Sequence, residues 1–367
     1  MHILILNQYK PPDPSPTARL VGDLAAALQA EGHRAVVIDS GQDYRARAKT
    51  RFSRARRELK ALGHLFRAGL AAGRADVVIS TSSPPAILLV ATALSALKRA
   101  KSVHWALDLY PELALALALG GAVPAPIRNL LYTVTGWCYR AAAKTICLDA
   151  DMQGHLKRRY GINSEIIRPW LLHDLDRVGP GQLAYAPRDG FTWLYSGNLG
   201  QAHEWETALA AQRILEHRGY PVTLAFQGGG ASWDPARRRA EQLRLARVEW
   251  RPYAPENRLA ETLLRAHAML VTQKPCTRGL LWPSKLGLLM CLPRPLIFVG
   301  PEDGAIAGEI RVCGRGECFP PGAAGALAGY VQRLYEQWPP ADFPSLRPGW
   351  TFEHAWKEWR RVLQEVN

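Results

Sequence analysis

Past the middle of this chain a run of strand-forming residues turns on glycines straight into a helical pattern, as the start of a wound sheet does. "FTWLYSGNLG" (191–200) ends a strand pattern in a Ser-Gly-Asn-Leu-Gly turn, and "EWETALAAQRILEHRG" continues at once with helical spacing. A strand that turns on glycines into a helix N-terminus is a common way for α/β proteins to hold a phosphate. A second start of this kind, so far along, demands two wound sheets rather than one.

The first half supports that reading. "MHILILN" and "RAVVID" read as strands around the helix "TARLVGDLAAALQAEG", with Leu20, Leu24 and Leu28 on one face and Gly32 as its C-terminal cap. The strands "DVVIST", "SVHWALD", "KTICLD" and "SEIIRP" follow, each separated from the next by a helical pattern. Such alternation implies a parallel sheet covered by helices on both faces. Gly, Pro and Asp break the pattern over 173–188, which reads as a linker. The second half then repeats the scheme with the strands "FTWLYSG", "PVTLAFQG", "VEWRPY", "AMLVTQ" and "RPLIFVG". The expected fold class is α/β, with two Rossmann-like doubly wound domains, 1–172 and 189–349, facing across a cleft. The Trp-rich helix 350–367 is expected to pack back on the first domain. A length of 367 residues fits two domains of about 150–200 residues each.

The 6 cysteines include no C-x-x-C pair, so they read as reduced thiols of a cytoplasmic protein. "MHILILNQYK" lacks the features of a signal peptide. The uncharged stretch 77–97 is cut by Ser-Thr-Ser-Ser-Pro-Pro into a short strand and a short helix, neither of which reaches the roughly 20 residues of a membrane span.

The net charge of +14 is unevenly spread. Residues 45–74 hold ten Lys or Arg against the single acid Glu58. Phe52, Ala55, Leu59, Leu62, Phe66 and Leu70 recur every three or four residues beneath that charge, predicting a basic amphipathic helix broken near Gly63. Its face suits an anionic membrane surface, nucleic acid or plain solvent. Few aromatics are present for base stacking and no nucleic-acid motif occurs elsewhere, so nucleic acid is not the expected partner. Arg51, Arg54, Arg56, Arg57 and Lys60 are the expected membrane contacts, which would make the protein peripheral at the inner face of the membrane.

"NQYKPPDPSPTARLVGDLAAALQAEGH", "DLYPE" (108–112), "YSGNLG" (195–200) and "PSKLG" (283–287), taken together and in order, resemble the family-4 retaining glycosyltransferases. The nearest branch builds bacterial surface polysaccharides and includes WbuB-like and colanic-acid-like enzymes. The resemblance implies the GT-B fold, an acceptor bound by the first domain, a nucleotide-sugar bound by the second, transfer with retention, and no metal or other cofactor.

The residues suit those roles. A donor pyrophosphate needs backbone N–H groups, a helix dipole and cations. Gly197 and Gly200 permit close backbone approach, and Asn198 and His203 are candidate donors. Lys285 is a candidate catalytic cation at a helix opened by Pro283 and capped by Ser284, and Lys274 stands at a strand's carboxyl end. Gly229, in "QGGG", borders the expected sugar pocket, and Tyr253 lies where such enzymes hold the base. On the acceptor side, Asp108 is the candidate catalytic carboxylate, with Asn7, Ser82, Glu112 and Arg168 around it; a saccharide or polyprenyl-linked acceptor is expected. His104 reads as a core histidine, and "DAD" (149–151) as a helix N-cap rather than a metal-binding motif.

Two departures from the family pattern stand out. Its two glutamates, seven residues apart beside the donor, are replaced by Leu281 and Leu288, and its basic pair after the first turn of the second domain is absent. Two other readings therefore stay open: a binding or scaffold protein on a degenerate GT-B frame, and a nucleotide-sugar epimerase.

Overall fold

The computed structural model describes residues 1–42, 51–117, 123–172, 190–255, 258–339 and 350–366; of residues 51, 52 and 54 only the backbone is described. The expected linker, 173–188, lies outside the described residues, as do the first residues of the basic stretch.

The chain divides into two compact units. Unit 1 comprises Met1–Leu172, Gly279–Ser284 and Pro348–Asn367, and unit 2 comprises His173–Arg278 and Lys285–Arg347. In unit 1 the elements run β1 (His2–Leu6), α1 (Pro16–Ala30), β2 (Arg34–Ile38), α2 (Arg51–Ala71), β3 (Val77–Ser80), α3 (Ile87–Lys98), β4 (Lys101–Trp105), α4 (Glu112–Ala116), α5 (Ala125–Ala141), β5 (Lys144–Cys147), α6 (Ala150–Tyr160) and β6 (Glu165–Ile166). Unit 2 continues with β7 (Thr192–Asn198), α7 (Glu206–His217), β8 (Thr223–Gly229), α8 (Trp233–Gln242), β9 (Val248–Arg251), α9 (Leu259–Leu264), β10 (Ala268–Thr272), α10 (Leu286–Cys291), β11 (Leu296–Val299), α11 (Ala305–Cys313), β12 (Gly316–Phe319) and α12 (Ala324–Glu336). The last helix, α13 (Phe352–Val366), belongs to unit 1.

Each unit holds one parallel six-stranded sheet, ordered β2-β1-β3-β4-β5-β6 in unit 1 and β12-β11-β10-β7-β8-β9 in unit 2. Strands such as β3 (VVIS) and β11 (LIFV) are buried throughout because helices cover both faces. Strand order reverses between β1 and β3 in unit 1, and between β7 and β10 in unit 2. Open parallel sheets bind ligands at such reversals, beyond the carboxyl ends of the strands.

In unit 1 the crossovers through α2, α3 and α5 all advance the same way across the sheet. Right-handed connection therefore lays them on one face, α2 against α3 and α3 against α5. The reverse step from β1 to β2 puts α1 on the other face, which α13 shares. Trp359 of α13 meets Trp105 of β4 edge-on at 5.0 Å between ring centroids, and Trp105 stacks on Trp170 at 5.6 Å. Burying Trp359, Val362, Leu363 and Val366 contributes about 1.5–3 kcal/mol per side chain, which anchors α13 to unit 1.

Several local expectations are met. Leu20, Leu24 and Leu28 are buried, Gly32 has a φ of 81° just beyond α1, and Asp149 Oδ1 accepts the Met152 N–H at 2.7 Å as the cap of α6. Residues 77–98 form strand, loop and helix, and among the described residues no helix is long and apolar enough to cross a membrane.

Other expectations are corrected. Helix α2 is continuous through Gly63, because one glycine costs a long helix only about 1 kcal/mol. Its buried stripe is Ala61 and Leu65, flanked by Leu62, Phe66 and Ala68; Ala55, Leu59 and Leu70 face solvent. Strand β12 carries charge and sits at the sheet edge, so it lacks the apolar run that marks the other strands.

Candidate functional site

At the reversal of unit 2, β7 runs longer than its sequence suggests. Gly197 pairs with Gly228 and Asn198 with Gly229, so the ladder continues through the expected turn. This is possible because residue 228 is glycine: a Cβ there would fall inside the Gly197 carbonyl, at a φ of 135° that side chains avoid. A Cβ on Gly230 would come within 2.5 Å of the Leu199 oxygen. The exposed Tyr253 ring lies against Gly228 and Gly229, where added Cβ atoms would stand 3.2 Å from it.

Two parts of the expected phosphate cradle are therefore corrected. The Leu199 amide donates to Gly229 O at 2.6 Å and the Gly200 amide to Asn198 O at 2.8 Å, so both are already committed. Helix α7 begins at Glu206 rather than beside Gly200. At its start Glu204 Oε1 accepts from Thr207 N at 2.8 Å and Thr207 Oγ1 at 2.7 Å, which places a carboxylate where a phosphate would gain from the helix dipole.

His203 also differs from expectation. The Thr272 carbonyl can only accept, so His203 Nδ1, 3.0 Å away, carries the proton. Desolvation first, and the neighbouring Lys274 charge after it, hold the imidazole below its usual pKa, against the opposing effect of the Thr272 contact. In that neutral form Nε2 is an acceptor, not the expected donor, until the ring is protonated. Lys274 follows β10; its amide donates to Ala202 O at 2.8 Å, tying the two loops at the reversal together, and its ammonium makes no ion pair among the described residues. Asn198 is exposed at the same edge.

Lys285 is the N-cap residue of α10 and is half-buried. No side chain caps this helix, so the expected Ser284 cap is absent; Ser284 is exposed and belongs to unit 1. Leu288 is buried within α10.

The reversal of unit 1 is built from neutral groups. Asn7 is fully buried: its Nδ2 donates to Tyr9 O at 2.6 Å, and its Oδ1 accepts from Thr81 Oγ1 at 2.7 Å. Asn7 thus ties the loops after β1 and β3 and has little left to offer a ligand. Ser82 Oγ accepts the Asp108 amide at 2.8 Å. Asp108 does not end β4 but lies three residues beyond it, in an isolated antiparallel bridge with Leu281. Beside it, Leu109 N donates to Leu280 O at 2.8 Å. The position of the first missing glutamate is thereby occupied by a backbone pairing. Burial pushes the Asp108 carboxyl up to about 6, and its carboxylate has no hydrogen bond among the described residues.

Glu112 is buried; Oε1 accepts from Tyr160 and faces His155 Nε2 at 3.6 Å, while Oε2 has no hydrogen-bond partner. Nothing in local sequence spacing pairs residue 112 with 155 or 160, so these two neighbours were not foreseen. Arg168 places its guanidinium 5.8 Å from the Trp350 ring centre and lies near Asp149. His104 is a core histidine: Nδ1 is 2.9 Å from Ser80 Oγ, and desolvation takes its pKa to about 3.

Of the expected membrane contacts, the side chains of Arg51 and Arg54 lie outside the described residues. Arg56 and Lys60 are exposed on α2. Arg57 is half-buried and held by Gln42, with Nε donating to Oε1 at 2.8 Å.

Comparison with known proteins places this geometry. A family model described as Glycosyltransferase Family 4 matches residues 17–170. No curated protein matches the sequence. Among solved structures, sucrose-phosphate synthase from Thermosynechococcus elongatus is similar with a TM-score of 0.72 at 16% identity, over 100% of this chain and 99% of that one. HepE from Anabaena, solved in complex with UDP, gives 0.71 at 12% identity over 99% and 100%. WaaG, a glycosyltransferase involved in lipopolysaccharide biosynthesis, gives 0.65 at 14% identity over 100% and 95%. The chain therefore has the GT-B fold, and its residues 17–170 match the family model described as Glycosyltransferase Family 4.

Proposed function

We propose that this chain is a retaining glycosyltransferase. It moves a hexose-type sugar from a UDP-sugar onto a saccharide or polyprenyl-linked acceptor, within the branch that builds bacterial surface polysaccharides. The observation that carries the reading is the chemistry at the reversal of unit 2. Glycines keep the edge open, the exposed Tyr253 ring offers a stacking surface for a base, Lys274 offers charge for phosphates, and His203 becomes a second donor once a nearby phosphate favours its protonated form. The similarity to HepE, solved with UDP and with UDP-glucose, supports the choice of nucleotide.

In this reading Lys274 and Lys285 take up the charge of the departing diphosphate, so no metal is required. Oriented cations at a developing charge supply a large share of such catalysis. Unit 1 binds the acceptor, and Asp108 orients its hydroxyl and accepts its proton. A carboxyl titrating near 6 is ionised at neutral pH yet remains basic enough for that task.

A second reading has its own observation. Leu281 and Leu288 stand where the family's acids would be, and Glu204 occupies the start of α7. These features suit a frame that has lost transfer and binds a partner instead. Incubation with UDP-sugars and lipid-linked acceptors separates the readings. Transfer requires UDP release that depends on acceptor and falls in Lys274→Ala. Absence of both release and UDP binding contradicts it, and conversion of the donor without acceptor would indicate an epimerase.

A further inference from the structure

Exposed hydrophobic side chains are concentrated on one layer of unit 1. Of the thirteen exposed large hydrophobics among the described residues, nine lie on α2, α3 and α5, the three helices that share one face of the sheet. Five of them are on α5: Ile127, Leu130, Leu131, Val134 and Trp137. Their spacing of three and four residues makes a stripe, with Leu130 at 62% and Trp137 at 55% exposure. The helix buries only Gly136, Cys138 and Tyr139. A water-facing helix does not ordinarily spend its apolar residues this way.

The charge around the stripe identifies its occupant. No Asp or Glu occurs from 113 to 148. Arg128 and Arg140 are exposed on α5 itself, and Lys157, Arg158 and Arg159 are exposed in the last turn of the adjoining α6. Arg159 is held there, its guanidinium 3.6 Å from the Tyr132 ring centre. Across the same layer α2 adds exposed Arg56, Lys60 and Arg67 beside Leu59. An apolar stripe with a tryptophan, rimmed by cations, on three helices whose one acid is the half-buried Glu58 of α2, matches a helix lying in the interface of an anionic bilayer. At 17 residues α5 would extend about 25 Å along the surface, and it is too short to span.

We propose that the outer face of α2, α3 and α5 docks on anionic phospholipid, with the α5 stripe inserted among the acyl chains and the basic rim at the headgroups. This rests on the lipid-linked acceptor of the proposed function, which would bring the chain to a bilayer, but its test needs no sugar. The full chain is sedimented with vesicles of phosphatidylcholine alone and of phosphatidylcholine mixed with phosphatidylglycerol, free of carrier lipid. Wild type is expected to bind the mixed vesicles at least about tenfold more strongly. Leu130→Gln/Leu131→Gln, which leaves the charge unchanged, is expected to weaken that binding about tenfold or more. Ile127→Gln/Val134→Gln gives an independent reading. All four side chains are exposed, so thermal midpoints should match wild type.

Equal binding to both vesicles, or variants that bind like wild type, overturns the proposal. So does a solution dimer that Leu130→Gln/Leu131→Gln converts to monomer without vesicle binding, which would assign the stripe to a second copy. Failure of transfer with vesicle binding intact would reject only the enzymatic reading.

Discussion

The two sheets reverse strand order in the same way, yet the groups at their reversals have opposite character. In unit 2 the reversal carries Lys274, a histidine and an exposed tyrosine ring over glycines. In unit 1 it carries buried amide and hydroxyl groups that satisfy one another, with the desolvated carboxyl of Asp108 beside them. One architecture thus presents a lysine and an open aromatic ring on one unit and a desolvated carboxyl on the other. The fold fixes where a ligand binds, and the few residues beyond the strand ends decide its charge.

The strongest way to break the contrast is Gly228→Ala. Its Cβ meets the Gly197 carbonyl, which should cost on the order of 3 kcal/mol or more and abolish nucleotide binding while unit 1 stays folded. Gly63→Ala, in the middle of α2 with open space around it, should instead stabilise by about 0.5–1 kcal/mol. Calorimetric unfolding and UDP titration of both variants check this pair.

Asp108→Asn tests the other unit. A carboxyl whose folded pKa is raised binds its proton more tightly folded than unfolded, so its stability cost grows as pH rises from 3.8 through about 6. The asparagine variant should be more stable than wild type by on the order of 2–3 kcal/mol at pH 8 and equal to it near pH 3. Transfer should fall about 100-fold or more. Equal stability at both pH values would mean that the carboxyl is well solvated.

A smaller effect concerns His203. Its pKa lies below 6.5 without ligand, and a diphosphate nearby would favour the protonated ring. UDP affinity should therefore rise several-fold as pH falls from 8 toward 5.5, and His203→Gln should flatten that dependence. The smallest expected effect is that of EDTA, which should leave turnover unchanged if the lysines alone stabilise the leaving group.

Much of this was legible in the sequence because apolar runs and helical spacing report burial directly. Eleven of the strands, the caps at Asp149 and Gly32, and the core role of His104 follow from local patterns. Features governed by distant partners were hidden. The ladder through Gly197 and Asn198 depends on the glycines at 228–229, the late start of α7 on Glu204, and the tautomer of His203 on Thr272. Residues 279–284 belong to unit 1 through pairing with 108–109, although they lie between strands of unit 2. The outward turn of Leu59 was hidden likewise, since spacing finds an apolar stripe but not the neighbour that covers it.

The most direct test of the account is calorimetric titration of UDP, GDP and ADP into wild type, Lys274→Ala and Lys285→Ala. The account predicts micromolar binding of UDP in preference to the other two, weakened about tenfold or more by either substitution, roughly 1.4 kcal/mol. No binding by any nucleotide, or binding that neither substitution changes, would contradict it.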